Sequence, residues 1–404
     1  MTATTYGTIP LMSQATCGAA FDLRANTRRR ALVTVEGWEV EVADDQRVVV
    51  ARGTGATGYD EASDQGSARA QEGLDLMSTV GMVHGAIDRP DDIHLAWWAT
   101  PTGTTLGIRS VIQSYLHVGV ATGVVTRTDG TVVAGSGWPV PTWHPSFRYY
   151  RLAQTTDDLF DAFRNTYLAL EAILSDIAPQ RHGEGEGQWV RRALAAADAV
   201  VPLAPLVPAG TADAVEYVRQ HVYVDTRTAM SHAKIGRPVL LPRNQGNRAQ
   251  VVEALRLTYD LYLHLAEAHL GLRRQSGFVT SFAFQGMATA GIGNMRLCIS
   301  DDLSPMNPQE TVLNPAGGTL LWFDTPELAD TSRPFEVSRT WTLPTAELRE
   351  LEAVRRVLTA VDATPAFINR LEADLVIGDD IDTLTFTFCH RGINTGSPRD
   401  RYPL

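Results

Sequence analysis

One stretch of the chain fits a helix buried along a single face and little else. Apolar residues recur at Phe160, Phe163, Tyr167, Leu170, Leu174 and Ile177, the spacing of one side of a 3.6-residue period, and Pro179 stops the run. Thr155 followed by Asp158 resembles a capping box ahead of it. A shorter helix is predicted in "GQWVRRALAAADAVV", and the proline-rich "VPLAPLVPAG" connects it onward. Thr211 is placed to cap a third helix with the face Val215, Val218 and Val222. Asn247 is placed to cap a fourth, with Leu255, Tyr259, Tyr262, Ala266 and Leu270 on one side and Gly271 at its end. Four antiparallel helices with one long loop predict a bundle over residues 148–275.

The flanks read differently. Before the bundle, "RALVTVEGWEVEVADDQRVVVAR" gives strands broken at Gly37 and at Asp44-Asp45, the pattern of hairpins. "SARAQEGLDLMSTVG" is a predicted helix, "IHLAWWAT" and "TTLGIR" are short strands, and Asp129-Gly130 marks a further hairpin. After the bundle, "FVTSFAF", "TLLWF", "FEVSRTWTL" and "LTFTF" read as strands, with one helix from Thr345 to about Val361. The expectation is an α+β multidomain chain. A mixed α/β region covers residues 1–147, the bundle 148–275 and a β-rich region 276–404, in line with a length of 404 residues that exceeds one compact core.

A formal net charge of −11 argues against a surface coated in nucleic acid. One segment departs from that balance. From Thr226 to Arg248 the chain carries Arg227, Lys234, Arg237, Arg243 and Arg248 and no acid, and Lys234 is its single lysine. No apolar run is long enough to span a bilayer, and the first residues have neither a basic leader nor an apolar core, so no secretory signal is expected there. Cys17, Cys298 and Cys389 are odd in number and scattered, which fits reduced thiols and a cytoplasmic setting.

Several motifs can be set aside. "GTGATG" (Gly53 to Gly58) matches the glycine pattern of dinucleotide loops. However, "YDEASDQGS" separates it from the predicted helix and puts three acids where phosphate would sit. It is expected to be a flexible turn. His264 and His269 are five apart, roughly 140° around a helix, so they do not form an i, i+4 metal pair. No C-x-x-C, H-E-x-x-H or G-x-S-x-G is present, so neither a metal nor a cofactor is expected.

An arginine followed five positions later by a histidine is a weak pattern by itself, since about one match is expected at random in a chain of this composition. Two occur. "RPDDIH" (Arg89 to His94) holds a proline and two acids and reads as a turn. "RTAMSH" (Arg227 to His232) ends the third bundle helix and opens the acid-free segment.

With "FRYYRLAQTTDDLFDAFRNTYLALEAILSDIAP" and "VVEALRLTYDLYLHLAEAHLG", the "RTAMSH" segment resembles the HEPN superfamily, in particular its branch of ApeA-like HEPN domains and methylamine utilisation protein J. That family's motif is arginine, a polar residue, three others and histidine in a helical bundle, and Arg227, Thr228 and His232 match it position for position. The resemblance covers about 125 residues and implies a HEPN-like four-helix bundle, pairing of two copies through it, and metal-independent cleavage of RNA, in phage defence or as a toxin-like effector. Non-catalytic HEPN-like bundles that dimerise and bind a partner or ligand are the alternative it implies.

The residue types suit the chemistry. Histidine takes or gives a proton near neutrality, as attack by a 2′-hydroxyl on its own phosphate requires. Arginine stays charged and fits phosphate oxygens with two parallel donors. On a regular helix Arg227 and His232 stand about 140° apart, so one copy makes a poor pocket and two converging copies a better one. Lys234, Arg237, Arg243 and Arg248 would then line the approach of a single-stranded or tRNA-like RNA backbone. The plain alternative is that a histidine and a lysine close a helix favourably through its dipole, and that Arg227 pairs with Asp225 or an acid of a neighbouring helix.

Overall fold

The computed structural model describes residues 2–83, 85–87, 94–116, 129, 142–156, 158–232, 236, 238–242, 244–272, 279–304, 317–324, 326, 335–361, 364–394 and 402. The architecture is α+β, with strands first, helices in the middle and a β-rich end. Where the sequence pattern divides into three consecutive regions, the backbone forms two compact units. One joins Met1–Ser114 to Thr280–Gly392, and the other joins Tyr115–Val279 to Ile393–Leu404.

The first unit is interleaved because both of its sheets take strands from both ends of the chain. An eight-stranded sheet runs Glu336–Pro344, Thr383–Asn394, Gly103–Leu116, His94–Thr100, Cys17–Asp22, Val48–Gly53, Trp38–Val42 and Ala31–Val35. A six-stranded sheet runs Leu320–Phe323, Arg296–Ser300, Val354–Val361, Thr364–Val376, Thr5–Tyr6 and Ile9–Pro10. The hairpin at Gly37 forms as expected, with Glu36 at φ 45° and Gly37 at φ 83°, backbone that glycine adopts without strain. The expected Asp129-Gly130 hairpin lies outside the described residues.

Three expectations for this unit fail for identifiable reasons. Thr345 to Val361 is not a helix: Thr345–Leu348 is a short 3₁₀ turn, and Val354–Val361 is a strand paired on both sides. "FVTSFAF" does not extend: Thr280 accepts from the Ala283 N–H and starts the helix Ser281–Ile292. The helix α1 (Tyr59–Thr79) opens directly after Gly58, so "YDEASDQGS" is its first part and not a spacer. The anion position at its end is still occupied from within, because Glu61 accepts from both the Thr57 N–H and its hydroxyl.

The second unit is helical. It comprises α2 (Pro145–Thr155), α3 (Leu159–Ile177), α4 (Glu186–Val200), α5 (Ala214–Val218), α6 (Ala229–Ser231) and α7 (Gln245–Leu270). Between α5 and α6 the chain stays helical but widens to a π-helix over Arg219–Thr228. The predicted faces are the buried ones: Phe163, Tyr167, Leu170 and Leu174 meet Val190, Leu194, Val222, Leu255, Tyr262 and Ala266 in one core. α2 is an element that the periodicity did not reveal. Its Tyr150 ring stacks on Tyr262 at 4.9 Å.

The helix ends show which polar residues act. Asp158 caps α3 through the Asp161 N–H, and Asp213, not Thr211, caps α5 through the Glu216 N–H. Asn247 is not a cap either: it lies inside α7, where its side chain accepts from the Leu241 N–H. Gly271, at φ 65°, closes α7 in the left-handed conformation.

Trp189 fixes where α4 begins. The residue is 4% exposed and its indole N–H donates to the Ala178 carbonyl at 2.8 Å, tying the first turn of α4 to the end of α3. Trp189→Phe, which keeps most of the volume and loses the donor, is expected to cost about 1 kcal/mol. Trp189→Ala is expected to cost about 3–5 kcal/mol. Urea unfolding followed by circular dichroism measures both, and equal losses from the two would show that the hydrogen bond carries the whole effect.

Candidate functional site

The π-helical stretch carries the motif. A π-turn closes i to i+5, and side chains show the same reach: Thr226 donates to the His221 carbonyl at 2.8 Å, and Gln220 donates to Asp225 at 2.6 Å. Val218, Val222, Thr226 and Ala229 are buried, which directs Tyr223 and Arg227 toward α3 and α4.

Arg227 is not free to meet a ligand in this arrangement. Its guanidinium bonds Glu186, the first residue of α4, at 2.6 Å. It also lies 5.7 Å from the centre of the Tyr167 ring and 5.6 Å from that of Tyr223. The expected pairing with an acid of a neighbouring helix is therefore present, through Glu186, while Asp225 is taken up by Gln220. Thr228, half-buried, ends the π-stretch. His232 is exposed and stands one residue past the helix, with extended backbone at φ −132° and ψ 96°. Among the described residues no hydrogen bond or ring contact joins Arg227 to His232.

Of the basic residues, Lys234, Arg237 and Arg243 lie outside the described residues. Arg248 is half-buried in the first turn of α7 and already engaged in an interaction. The decoy pattern behaves as a fold element: His94 begins a strand and is buried, and Arg89 lies outside the described residues.

Sequence reasoning missed the carboxylates. Glu171 on α3 and Glu186 on α4 line an open groove of about 520 Å³ together with Tyr149, Leu168, Gln180 and Trp189. Burial raises the Glu171 carboxyl above its ordinary range, the Arg227 charge pulls it back, and Glu186 adds to the rise. Burial also raises the Tyr167 phenol, with Glu171 adding to the rise and Arg227 opposing it. One carboxylate is thus bonded to the guanidinium, and a second feels its charge. A glutamate opening a helix is too ordinary a feature to have been singled out from sequence, because the helix dipole alone favours it there.

Residues 146–267 match the family model of methylamine utilization protein MauJ. That match runs from α2 nearly to the end of α7 and contains Arg227, Thr228, His232, Glu171 and Glu186. The MauJ-like part is therefore the helical unit, and the two sheets lie outside it. No curated protein and no solved structure matches the chain. Among the described residues no cluster of His, Cys, Asp and Glu is arranged to hold a metal ion, and no helix is long and apolar enough to cross a membrane.

Glu171 supplies a pH test. Its folded-state pKa lies above the ordinary value of 4.5, so the folded protein holds this proton more tightly than the unfolded chain does. The stabilisation from the neutral carboxyl is present at low pH and is lost as pH rises through that window. Glu171→Gln is expected to raise the unfolding midpoint at pH 7 and to flatten its decline above pH 4.5. A lower midpoint for the variant at pH 7 would mean that the charged carboxylate is a net stabiliser, held by Arg227.

Proposed function

We propose that the helical unit is a HEPN-type, metal-independent endoribonuclease. What supports this reading is the R-T-x-x-x-H pattern within the MauJ-like segment: an exposed His232 stands one residue past the helical stretch that holds Arg227. The 2′-oxygen attacks the adjacent phosphorus, the bond to the 5′-oxygen breaks, and a 2′,3′-cyclic phosphate is left. His232 moves the proton at the 2′-hydroxyl or at the leaving 5′-oxygen. Arg227 stabilises the charge on the phosphorane, and Thr228 is the polar partner of the motif. Lys234, Arg237, Arg243 and Arg248 hold the RNA backbone by phosphate contacts. No cofactor is part of this reading, the setting is cytoplasmic, and the role is in phage defence or as a toxin-like effector.

A second reading has its own observation. The Arg227–Glu186 ion pair closes within one copy, as in a bundle that serves as a dimerising scaffold or accessory module and performs no chemistry. RNA separates the two. Incubated with total RNA in EDTA, the protein is expected to leave 2′,3′-cyclic phosphate ends. His232→Ala is expected to abolish the products, and Arg227→Ala to slow turnover by about 100-fold while binding is largely kept. His94→Ala is a poor control because His94 is buried. His182, exposed in the link between α3 and α4, is the better one, and His182→Ala should leave cleavage intact. Cleavage that survives His232→Ala would end the nuclease reading.

Both readings place self-association in the bundle, through the helices around Thr211–His232 and Asn247–Gly271. Light scattering is expected to give a homodimer at micromolar concentration. A monomer would remove the composite site, since Arg227 and His232 of one copy face different surroundings.

A further inference from the structure

We propose that Glu186 is a latch on Arg227, holding the site in a state that cannot accept phosphate until the carboxylate is displaced. The inference rests on the ribonuclease reading and adds its control. Charge carries the first step. The Glu186 carboxylate lies on the Arg227 guanidinium at 2.6 Å, so an incoming phosphate must compete with a negative group already in place and is repelled by it.

Exposure carries the second step. The Arg227 side chain is 25% exposed and the Glu186 side chain 41% exposed, which puts their pair in the weak, readily exchanged class. Glu186 also borders the open groove, so its carboxylate can turn into solvent without entering an apolar interior. Arg227 need not move with it. The Tyr167 ring, from α3, and the Tyr223 ring, from the helix of Arg227 itself, lie beside the guanidinium, and the Tyr223 hydroxyl also donates to Glu186, a bond that breaks together with the ion pair. Release of the latch therefore removes the one carboxylate bonded to the guanidinium and opens it to a phosphate.

The full-length protein, a 5′-labelled single-stranded oligoribonucleotide and EDTA buffer test this by anisotropy and by single-turnover cleavage. Glu186→Gln keeps the shape and removes the charge. It is expected to tighten RNA binding by about two- to fivefold, the scale of one exposed ion pair, and to raise the cleavage rate in the same direction. In an Arg227→Ala background the same substitution is expected to give a clearly smaller gain, because only the repulsion by the free carboxylate is then removed. Glu350→Gln, exposed in the first unit, matches the change in net charge and is expected to be silent. Unchanged or weaker binding by Glu186→Gln overturns the latch, and so does a gain that persists undiminished without Arg227 or that Glu350→Gln reproduces. If the wild type cleaves and Glu186→Gln does not exceed it, the nuclease reading stands and the latch is lost. If neither protein binds or cleaves RNA, both are lost.

Discussion

The carboxylate of Glu186 joins the start of α4 to the helix that carries Arg227, and the chemistry open to the helical unit follows from what holds that carboxylate. Its position is set by packing. Trp189 pins the first turn of α4 to the end of α3, and Glu186 stands three residues before it, on the same side of the turn. The π-helical stretch sets the position of Arg227. With five residues to a closed turn, the buried line Val218, Val222 and Thr226 leaves Tyr223 and Arg227 in register against α3 and α4. Neither partner is placed by the ion pair itself. An exposed contact of this kind is too weak to position a helix, so the packing decides the geometry and the contact reports it.

The sequence made the bundle legible because its signal is local. One apolar face repeats every three to four residues over α3 and α7, and the residues on those faces are the ones buried. The first unit was harder for the opposite reason. "TAELRELEAVRRVL" is rich in good helix formers, yet Val354–Val361 lies between Arg296–Ser300 and Thr364–Val376 and becomes a buried strand. Pairing on both edges outweighs an intrinsic preference that amounts to a few tenths of a kcal/mol per residue. The interleaving of both ends of the chain in both sheets has no local signature at all.

The candidate site was legible only in part. Arg227, Thr228 and His232 are visible as a pattern, because residues of one helix keep a fixed spacing. Glu171 and Glu186 are not, because they come from two other helices, Glu186 bonding Arg227 and Glu171 feeling its charge, and nothing in their own neighbourhoods sets them apart. The glycine-rich "GTGATG" shows a related limit. Its last glycine does lead straight into a helix, as an anion-binding loop would, but Glu61 turns back and satisfies the Thr57 amide. Spacing identifies which groups are available, and only the fold shows which of them are already taken.

That distinction bears on how the two readings relate. An arginine paired within its own bundle is what a scaffold would keep, and it is equally what a nuclease would keep between encounters with RNA. A toxin-like nuclease whose arginine stood open would act on any RNA it met. A weak internal carboxylate raises the threshold without removing the group. A buried ion pair would not serve this purpose, because breaking it leaves an uncompensated charge and costs several kcal/mol. The partial exposure of both Arg227 and Glu186 is the property that makes the contact reversible. On the nuclease reading the exposed His232 would need no such restraint, since a histidine without the charged stabiliser would provide proton transfer alone and leave the phosphorane unsupported.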